Sequence, residues 1–176
     1  MADLAKGSAR FAGVDLQEAF GIRCDFYDVL TPKMRERKVK LPGRDGSYDY
    51  GARFHDERIV KLKCESMKML SRQEIRELAA ALSKKGELYL WDEPDKYYVG
   101  RIYKAPDLVY IGLIGHRFDL EFICDPFAYG ETISGPMPTI MTYKGTAITP
   151  TRIEIRNISN KTLQGVQIQI RERSES

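Results

Sequence analysis

The segment 117–124 reads RFDLEFIC and decides the fold, because apolar residues at 118, 120, 122 and 124 alternate with charged residues at 117, 119 and 121. Successive side chains of a β-strand point to opposite faces, so a period of two predicts a strand with one buried and one solvated face. The same alternation occurs at 60–65, VKLKCE. Such strands are typical of an antiparallel sheet that has water on one side. The sequence therefore predicts a mainly β protein, with β-rich α+β character and antiparallel sheets.

Three further strands are predicted, and two of them flank a tight turn. Residues 20–26 alternate, with one face formed by Phe20, Ile22, Cys24 and Phe26. Residues 88–91 and 97–103 are two more candidate strands. The residues between them, DEPD at 92–95, favour a turn, which predicts a β-hairpin.

The composition changes after residue 129. The stretch 130–150 is rich in Gly and Pro and is interpreted as a linker or as short strands and turns. Residues 152–156 and 165–171 then alternate again. Because two strands alone are marginally stable, they either pack on the first domain or belong to a partial second β domain.

One amphipathic helix is predicted at 72–85. Ser71 and Glu74 have the spacing of a capping box at its start. Lys84 and Lys85 suit the negative end of a helix, and Gly86 suits the position just after it. The apolar stripe that would cover the sheet consists of Ile75, Leu78, Ala79 and Leu82.

The composition excludes several classes of protein. The formal net charge is +3, from 28 basic and 25 acidic residues, which is too balanced for a dedicated nucleic-acid binder. Apolar runs stay well short of the roughly 18 residues of a membrane-spanning helix. The first ten residues lack the apolar core of a signal peptide, so we expect the chain to fold in a cytoplasm.

The sequence provides no recognisable catalytic or metal-binding pattern. Cys24, Cys64 and Cys124 are far apart and are interpreted as buried free thiols. His55 and His116 have no nucleophile or metal partner at a recognisable spacing, and both are interpreted as solvated loop residues. We therefore expect no catalytic residue, cofactor or metal, and no enzymatic activity.

Two charged segments are candidates for binding. The basic run at 33–40 is either a nucleic-acid contact or a solvated edge strand, and the small net charge favours the strand. The glycine-rich loop at 43–46 is a phosphate cradle, a tight loop or a subunit contact, and its spacing matches no phosphate motif. The acidic residues at 92–95 favour a hairpin tip over a calcium site. The candidate subunit-interface residues in these segments are Arg35, Arg37, Arg44, Asp45, Asp92 and Asp95.

Three blocks in order are more specific than any of these motifs. They are LPGRDGS at 41–47, GELYLWDEPDKYY at 86–98 and FDLEFICDPFAY at 118–129, and the opening FGI at 20–22 accompanies them. Together they resemble the N-terminal domain of the distal tail protein of bacteriophages with long, non-contractile tails. The resemblance covers residues 9–129.

The resemblance implies a structural role in a phage tail. Six copies of such a domain would form a ring that joins the tail tube to the tail tip or baseplate of the virion. The implied partners are further copies of the chain, the tail tube protein, the tape-measure protein and the tail-tip or tail-associated lysin protein, with receptor-binding proteins in some members. Neither specific nucleic acid nor membrane is implied.

The resemblance also defines two expected domains. Residues 1–129 would be the ring-forming domain. Family members carry a galectin-like β-sandwich after this point, whereas 47 residues follow Tyr129 here, so 130–176 is interpreted as a linker with strands of a truncated or reduced sandwich. Two other classes of function stay open: a carbohydrate-binding module for host-envelope sugars and a cell-wall hydrolase, for which no catalytic constellation is found.

Overall fold

The computed structural model of the chain describes residues 4–27, 32–50, 54–66, 68–104, 106–107, 109–111, 115–132, 134–135, 145–147, 149, 152–154, 156–158, 160–162 and 164–165. The chain divides into two compact units, Met1–Met141 and Thr142–Ser176. All the helices and strands of the described residues lie in the first unit.

Eight of the described strands form one antiparallel sheet, and two more form a small separate sheet. The strands are β1 (Ala9–Phe11), β2 (Val14–Asp15), β3 (Ile22–Tyr27), β4 (Lys38–Val39), β5 (Tyr48–Asp49), β6 (Arg58–Ser66), β7 (Gly86–Leu90), β8 (Tyr97–Lys104), β9 (Val109–Ile111) and β10 (Gly115–Cys124). The order in the large sheet is β2-β1-β7-β8-β10-β6-β3, with β9 also paired to β10, and the small sheet is β4-β5. The prediction of a mainly β protein with antiparallel sheets is confirmed.

The core lies on one face of the large sheet. Strands β6 and β10 pair over eight positions, with Leu62 opposite Leu120 and Cys64 opposite Phe118. Their apolar side chains are buried, while Lys61 and the other alternating charged residues of β6 are exposed. The period-two pattern therefore places one apolar face in the core, as the sequence predicts.

Helix α2 (Arg72–Leu82) covers part of this core. Its capping box is present: the backbone N–H of Glu74 donates to Ser71 Oγ over 3.2 Å, and the backbone N–H of Ser71 donates to Glu74 Oε2 over 2.8 Å. Leu78 and Leu82 are buried and Ile75 is half-buried, but Ala79 is exposed, so the predicted stripe is narrower than expected.

The predicted end of this helix at residue 85 is wrong. The helix ends at Leu82, where the backbone N–H of Ser83 donates to Ala79 O and Ser83 Oγ donates to Ala80 O. Gly86 starts β7 instead of ending the helix. A Cβ atom on Gly86 would lie 2.7 Å from the Cβ of Ala12, so glycine is required there by the close approach of two segments.

A short helix interrupts the strand predicted at 20–26. Helix α1 (Leu16–Phe20) begins at Asp15, whose carboxylate accepts from the backbone N–H groups of Gln17 and Glu18, and it ends at Gly21 with φ 66°. Phe20 therefore belongs to the helix, and β3 starts at Ile22. Positive φ is accessible to glycine, which is why the chain turns there.

Two further predictions need correction. His116 lies in β10 and is 0% exposed, so it is not a solvated loop residue. In the second unit, the described residues 152–154 and 156 have no strand conformation, and Ile158 is 91% exposed. Residues 166–171 of the other expected strand lie outside the described residues.

The helices of the described residues are too short and too polar to cross a membrane.

Candidate subunit-contact surfaces

The basic run and the glycine-rich loop form one exposed hairpin, which we call the arm (residues 33–50 and 54–56). Its two sides pair through β4 and β5 and through three further backbone hydrogen bonds. These bonds run from Arg35 N to Phe54 O, from Tyr50 N to Arg37 O and from Asp56 N to Lys33 O, over 2.8, 3.0 and 2.7 Å. At its tip, Gly43 and Gly46 have φ of 77° and 81°, which confirms a tight loop.

One face of the arm is apolar and uncovered. Val39 lies opposite Tyr48, and the Tyr48 and Tyr50 rings meet edge to face with centroids 5.0 Å apart. The Arg37 guanidinium lies 5.6 Å from the centroid of the Tyr50 ring. Val39, Tyr48 and Tyr50 are 42%, 46% and 57% exposed, although large apolar side chains favour burial.

The arm carries six basic and four acidic side chains, and the basic ones lie in its first half. Residues 33–44 carry six basic side chains and one acidic side chain. Arg35 donates to the Asp56 carboxylate over 2.8 Å, and this hydrogen bond raises the pKa of the guanidinium. Arg37, Arg44 and Asp45 are exposed, so the structure brings four of the predicted interface residues together on this element.

The other two predicted interface residues, Asp92 and Asp95, lie in the turn between β7 and β8. Both are exposed. The turn is closed by backbone hydrogen bonds from Glu93 N to Leu90 O and from Lys96 N to Glu93 O, and the Lys96 ammonium pairs with the Glu93 carboxylate. The predicted hairpin is therefore confirmed.

Beside this turn, three tyrosine rings form a continuous row across the sheet, which we call the tyrosine row (Tyr89, Tyr97 and Tyr129). Tyr89 lies opposite Tyr97 in the β7–β8 pair, and Tyr97 forms a β-bridge to Tyr129. The ring centroids are 5.3 Å apart for Tyr89 and Tyr97 and 5.6 Å apart for Tyr97 and Tyr129.

The rim of the tyrosine row is acidic. Burial raises the pKa of the Tyr89 phenol, and its hydrogen bond to Glu87 raises it further. Tyr129 donates to Asp125, and this hydrogen bond raises the pKa of the Tyr129 phenol. Residues 87–97 carry four acidic side chains and one basic side chain. The row thus has a carboxylate at each outer phenol, and Arg10 of β1 lies opposite Tyr89.

The sequence contained only part of the signal for the tyrosine row. Once the hairpin is assumed, its register places Tyr89 opposite Tyr97. Tyr129 follows β10 and joins the row through its β-bridge to Tyr97. These two residues are distant in sequence, so no local pattern predicts their contact.

A third surface, the solvated face of the large sheet, is balanced in charge. Its cross-strand neighbours alternate in sign, and the described ion pairs include Lys61 with Glu121 and Arg117 with Glu65, each at 3.3 Å. Because neighbouring charges of opposite sign cancel, this face has no clear preference for an anion or a cation.

The three cysteines are buried, as the sequence predicts. Cys24 and Cys64 lie directly opposite each other with Sγ atoms 3.0 Å apart, and this contact and burial raise the pKa of the Cys64 thiol. Burial raises the pKa of Cys124 to about 12. A raised pKa disfavours the thiolate, which is the reactive form, so the Cys64 and Cys124 thiols are protonated at neutral pH. In the described part of the chain, no three His, Cys, Asp or Glu side chains are grouped as metal ligands.

The fold has a clear likeness among solved structures. No protein-family model and no curated protein matches the sequence. The crystal structure of the Dit protein (gp 19.1) of phage SPP1, described as a paradigm of the hub adsorption apparatus in phages that infect Gram-positive bacteria, matches with a TM-score of 0.57 and 22% identity. The match covers 70% of this chain and 52% of that chain, so this chain spans about half the length of the SPP1 protein. The chain thus has a fold similar to that of a siphophage distal tail protein, as its three sequence blocks predict.

Proposed function

We propose that this chain is a structural, non-enzymatic subunit of a phage tail that closes a ring with copies of itself, most simply a ring of six, where the tail tube meets the tail tip. The observation that carries the proposal is the fold similarity to the SPP1 hub protein, at a TM-score of 0.57 over 70% of the chain. The three ordered sequence blocks support it independently.

The two candidate contact surfaces support a ring over a two-fold dimer. A two-fold dimer uses the same patch on both subunits, whereas a ring needs two different patches on each. The arm and the acidic turn with its tyrosine row differ in charge and in shape. A chain with such surfaces can form repeated head-to-tail contacts. The contacts close into a ring when a whole number of subunit-to-subunit rotations makes one full turn.

In this proposal the neighbours of the ring are the tail tube protein, the tape-measure protein and the tail-tip or tail-associated lysin protein, with receptor-binding proteins as further candidates. Residues 1–129 form the ring, and 130–176 are a linker with strands of a truncated or reduced β-sandwich. The chain is made in the cytoplasm of the host bacterium and ends up in the virion. The ring lets DNA pass without binding it tightly, because a chain with a net charge near zero attracts the phosphate backbone only weakly.

The geometry of the tyrosine row favours a protein contact over sugar binding. Sugars stack on the open faces of aromatic rings, but the Tyr97 ring lies between the other two, stacked on Tyr129 at an interplanar angle of 25°. The carbohydrate-binding alternative therefore has little open ring area at this surface.

Antibody labelling of purified phage particles tests the proposal. We expect gold particles at one end of the tail and nowhere along the tube. Labelling along the whole tube, or particles that lack the chain, would overturn the proposal.

A further inference from the structure

We propose that Cys24 and Cys64 are a disulfide-forming site, at which an oxidant of the disulfide class joins strand β3 covalently to strand β6. The site is a property of the folded domain and goes beyond the proposed function, because it does not require the domain to close a ring.

The two cysteines are already placed as a cross-strand pair. Cys24 lies directly opposite Cys64 in the antiparallel pairing of β3 with β6, and their Sγ atoms are 3.0 Å apart. A disulfide has an S–S length of about 2.0 Å, so the two atoms need to approach by only about 1 Å. Small rotations of the two side chains supply this movement, so the backbone of the sheet stays in place.

The backbone hydrogen bonds show which kind of antiparallel pair this is. The backbone N–H of Cys24 donates to Gly7 O over 2.7 Å, so it is not directed at Cys64. Opposite residues that do not exchange hydrogen bonds have Cα atoms about 4.5 Å apart, which is the closer of the two kinds of pair. This separation lies within the range of about 4.4–6.8 Å that disulfides span.

Cys124 is too far away to replace either member of the pair. Cys64 lies opposite Phe118 of β10, whereas Cys124 lies opposite Arg58 at the other end of β6. The six residue steps from Phe118 to Cys124 span roughly 20 Å, at about 3.3 Å per residue. A disulfide bridges Cα separations of up to about 7 Å, so oxidation leaves one free thiol per chain.

The reaction is a thiol–disulfide exchange, with oxidised glutathione as the oxidant. The thiolate of one cysteine attacks a glutathione sulfur, forms a mixed disulfide and releases the first glutathione. The second cysteine attacks the protein sulfur of the mixed disulfide, forms the Cys24–Cys64 bond and releases the second glutathione. The two protein thiols lose two electrons and two protons in total, and the two glutathione sulfurs gain them.

The oxidant reaches the pair when the edge of the sheet opens. Both cysteines are 1% exposed, so attack requires a local movement of a strand. Strand β3 is the last strand in the order of the large sheet, and an edge opens at a lower free energy than the whole domain. Oxidation is therefore slow in the folded chain and becomes faster at urea concentrations just below the unfolding transition.

The disulfide closes a loop of the chain that contains the whole arm. Its two ends are 40 positions apart in sequence, and residues 33–56 lie between them. A cross-link of this kind constrains the unfolded chain and thereby favours the folded state. We therefore expect the oxidised domain to unfold at a higher urea concentration than the reduced domain.

The proposed function supplies the moment at which the bond forms, and this timing rests on it, whereas the site does not. A cytoplasm keeps thiols reduced, but disulfides persist on virion surfaces. A tail subunit thus folds with free thiols and acquires the disulfide after the particle leaves the host.

Oxidation of the purified full-length chain tests the proposal. The folded chain is incubated with oxidised glutathione, with and without urea just below the transition, and is then denatured and alkylated with N-ethylmaleimide. We expect the chain to lose the mass of two hydrogen atoms and to take up one N-ethylmaleimide, whereas a chain kept reduced takes up three, one on each cysteine. Trypsin should then release peptide 24–33 joined to peptide 64–68.

The matched variants are Cys24→Ala and Cys124→Ala. Cys24→Ala should form no internal disulfide, and its urea midpoint should not respond to the oxidant. Cys124→Ala should form the disulfide as wild type does and should take up no N-ethylmaleimide. The comparison of oxidised with reduced wild type needs no substitution, so it holds even where a variant folds poorly.

Several results would overturn the proposal. These are three alkylated thiols after both incubations, a lasting mixed disulfide with glutathione, and a bond that involves Cys124 or a second chain. A Cys24–Cys64 bond that leaves the urea midpoint unchanged would overturn its stabilising role. None of these results depends on whether a ring forms, so the labelling of particles still decides the proposed function separately.

Discussion

At the scale of single residues, Gly100 lies where two strands approach too closely for a side chain. A Cβ atom there would lie 2.5 Å from Cys124 Sγ and 2.6 Å from Ile123 O, and both belong to the neighbouring strand β10. Gly100→Ala should therefore destabilise the domain by about 1–3 kcal/mol or more, as overpacking of a core does. Gly130→Ala is the matched control, because a Cβ atom there meets no atom within 4 Å. Equal urea midpoints for the two variants would contradict the register of β8 on β10.

Substitution of Leu78 tests how much helix α2 stabilises the domain. Its side chain is 3% exposed and packs in the core formed by the sheet. Leu78→Ala removes buried methyl groups and leaves a cavity, so we expect a loss of about 2–5 kcal/mol in the free energy of unfolding. Arg76→Ala, an exposed change on the same helix, should cost far less. Denaturant unfolding of the two variants at equal concentration makes the comparison, and a near-zero effect of Leu78→Ala would show that the helix is not a cover.

Through Glu74, the start of helix α2 should make the stability of the domain depend on pH. Hydrogen bonds from the Lys68 ammonium and from Ser71 lower its pKa from 4.5 to about 2. A carboxyl whose pKa is lower in the folded state stabilises it above its unfolded pKa, and the effect is lost as the pH falls through the folded pKa. Glu74→Gln should therefore be less stable than wild type at pH 7, and the difference should shrink as the pH falls from 4.5 towards 2. Urea unfolding at pH 7 and pH 3 tests this, and a difference that stays constant with pH would be inconsistent with it.

At the scale of elements, the arm is separable from the body of the domain. The backbone N–H of Asp56 donates to Lys33 O over 2.7 Å, so a short loop can join the chain after the arm is removed. Replacing residues 34–55 by a few glycine and serine residues should leave the sheet folded, because the exposed face of the arm contributes little burial.

Circular dichroism and urea unfolding of this shortened chain would check its fold. We expect a spectrum and an unfolding midpoint close to those of wild type, together with loss of ring formation. Collapse of the sheet would contradict the view that the arm is an external contact element.

Elements with strong local signals could be predicted from the sequence. The alternation at 60–65 and 117–124, the turn at 92–95 and the capping box at Ser71 each lie within a few residues, so no knowledge of distant contacts is needed. The exposed candidates in the arm and the turn could be chosen for the same reason, since both elements are hairpins.

Features that depend on distant contacts could not be predicted. Gly86 has the same local pattern as a glycine that ends a helix. Glycine is required there because Ala12, which is far away in sequence, leaves no room for a side chain. His116 is buried in β10, which pairs with β9 and β6, and the tyrosine row exists because Tyr129 pairs with Tyr97. Helix α1, with five residues, is too short for a helical period to appear.

At the scale of the whole molecule, the proposed ring offers a reason for the exposed apolar side chains of the arm. Val39, Tyr48 and Tyr50 of the arm are 42%, 46% and 57% exposed. Each contact in a ring can be modest, because closure makes the last contact intramolecular and raises its effective concentration. In this proposal, the large sheet stabilises the domain and the arm contributes to assembly.

Averaged cryo-electron images of the tail end of purified particles test the central claim most directly. We predict one ring of six copies of this fold between tube and tip. Density for this fold repeated along the tube, or its absence from the junction, would contradict the account.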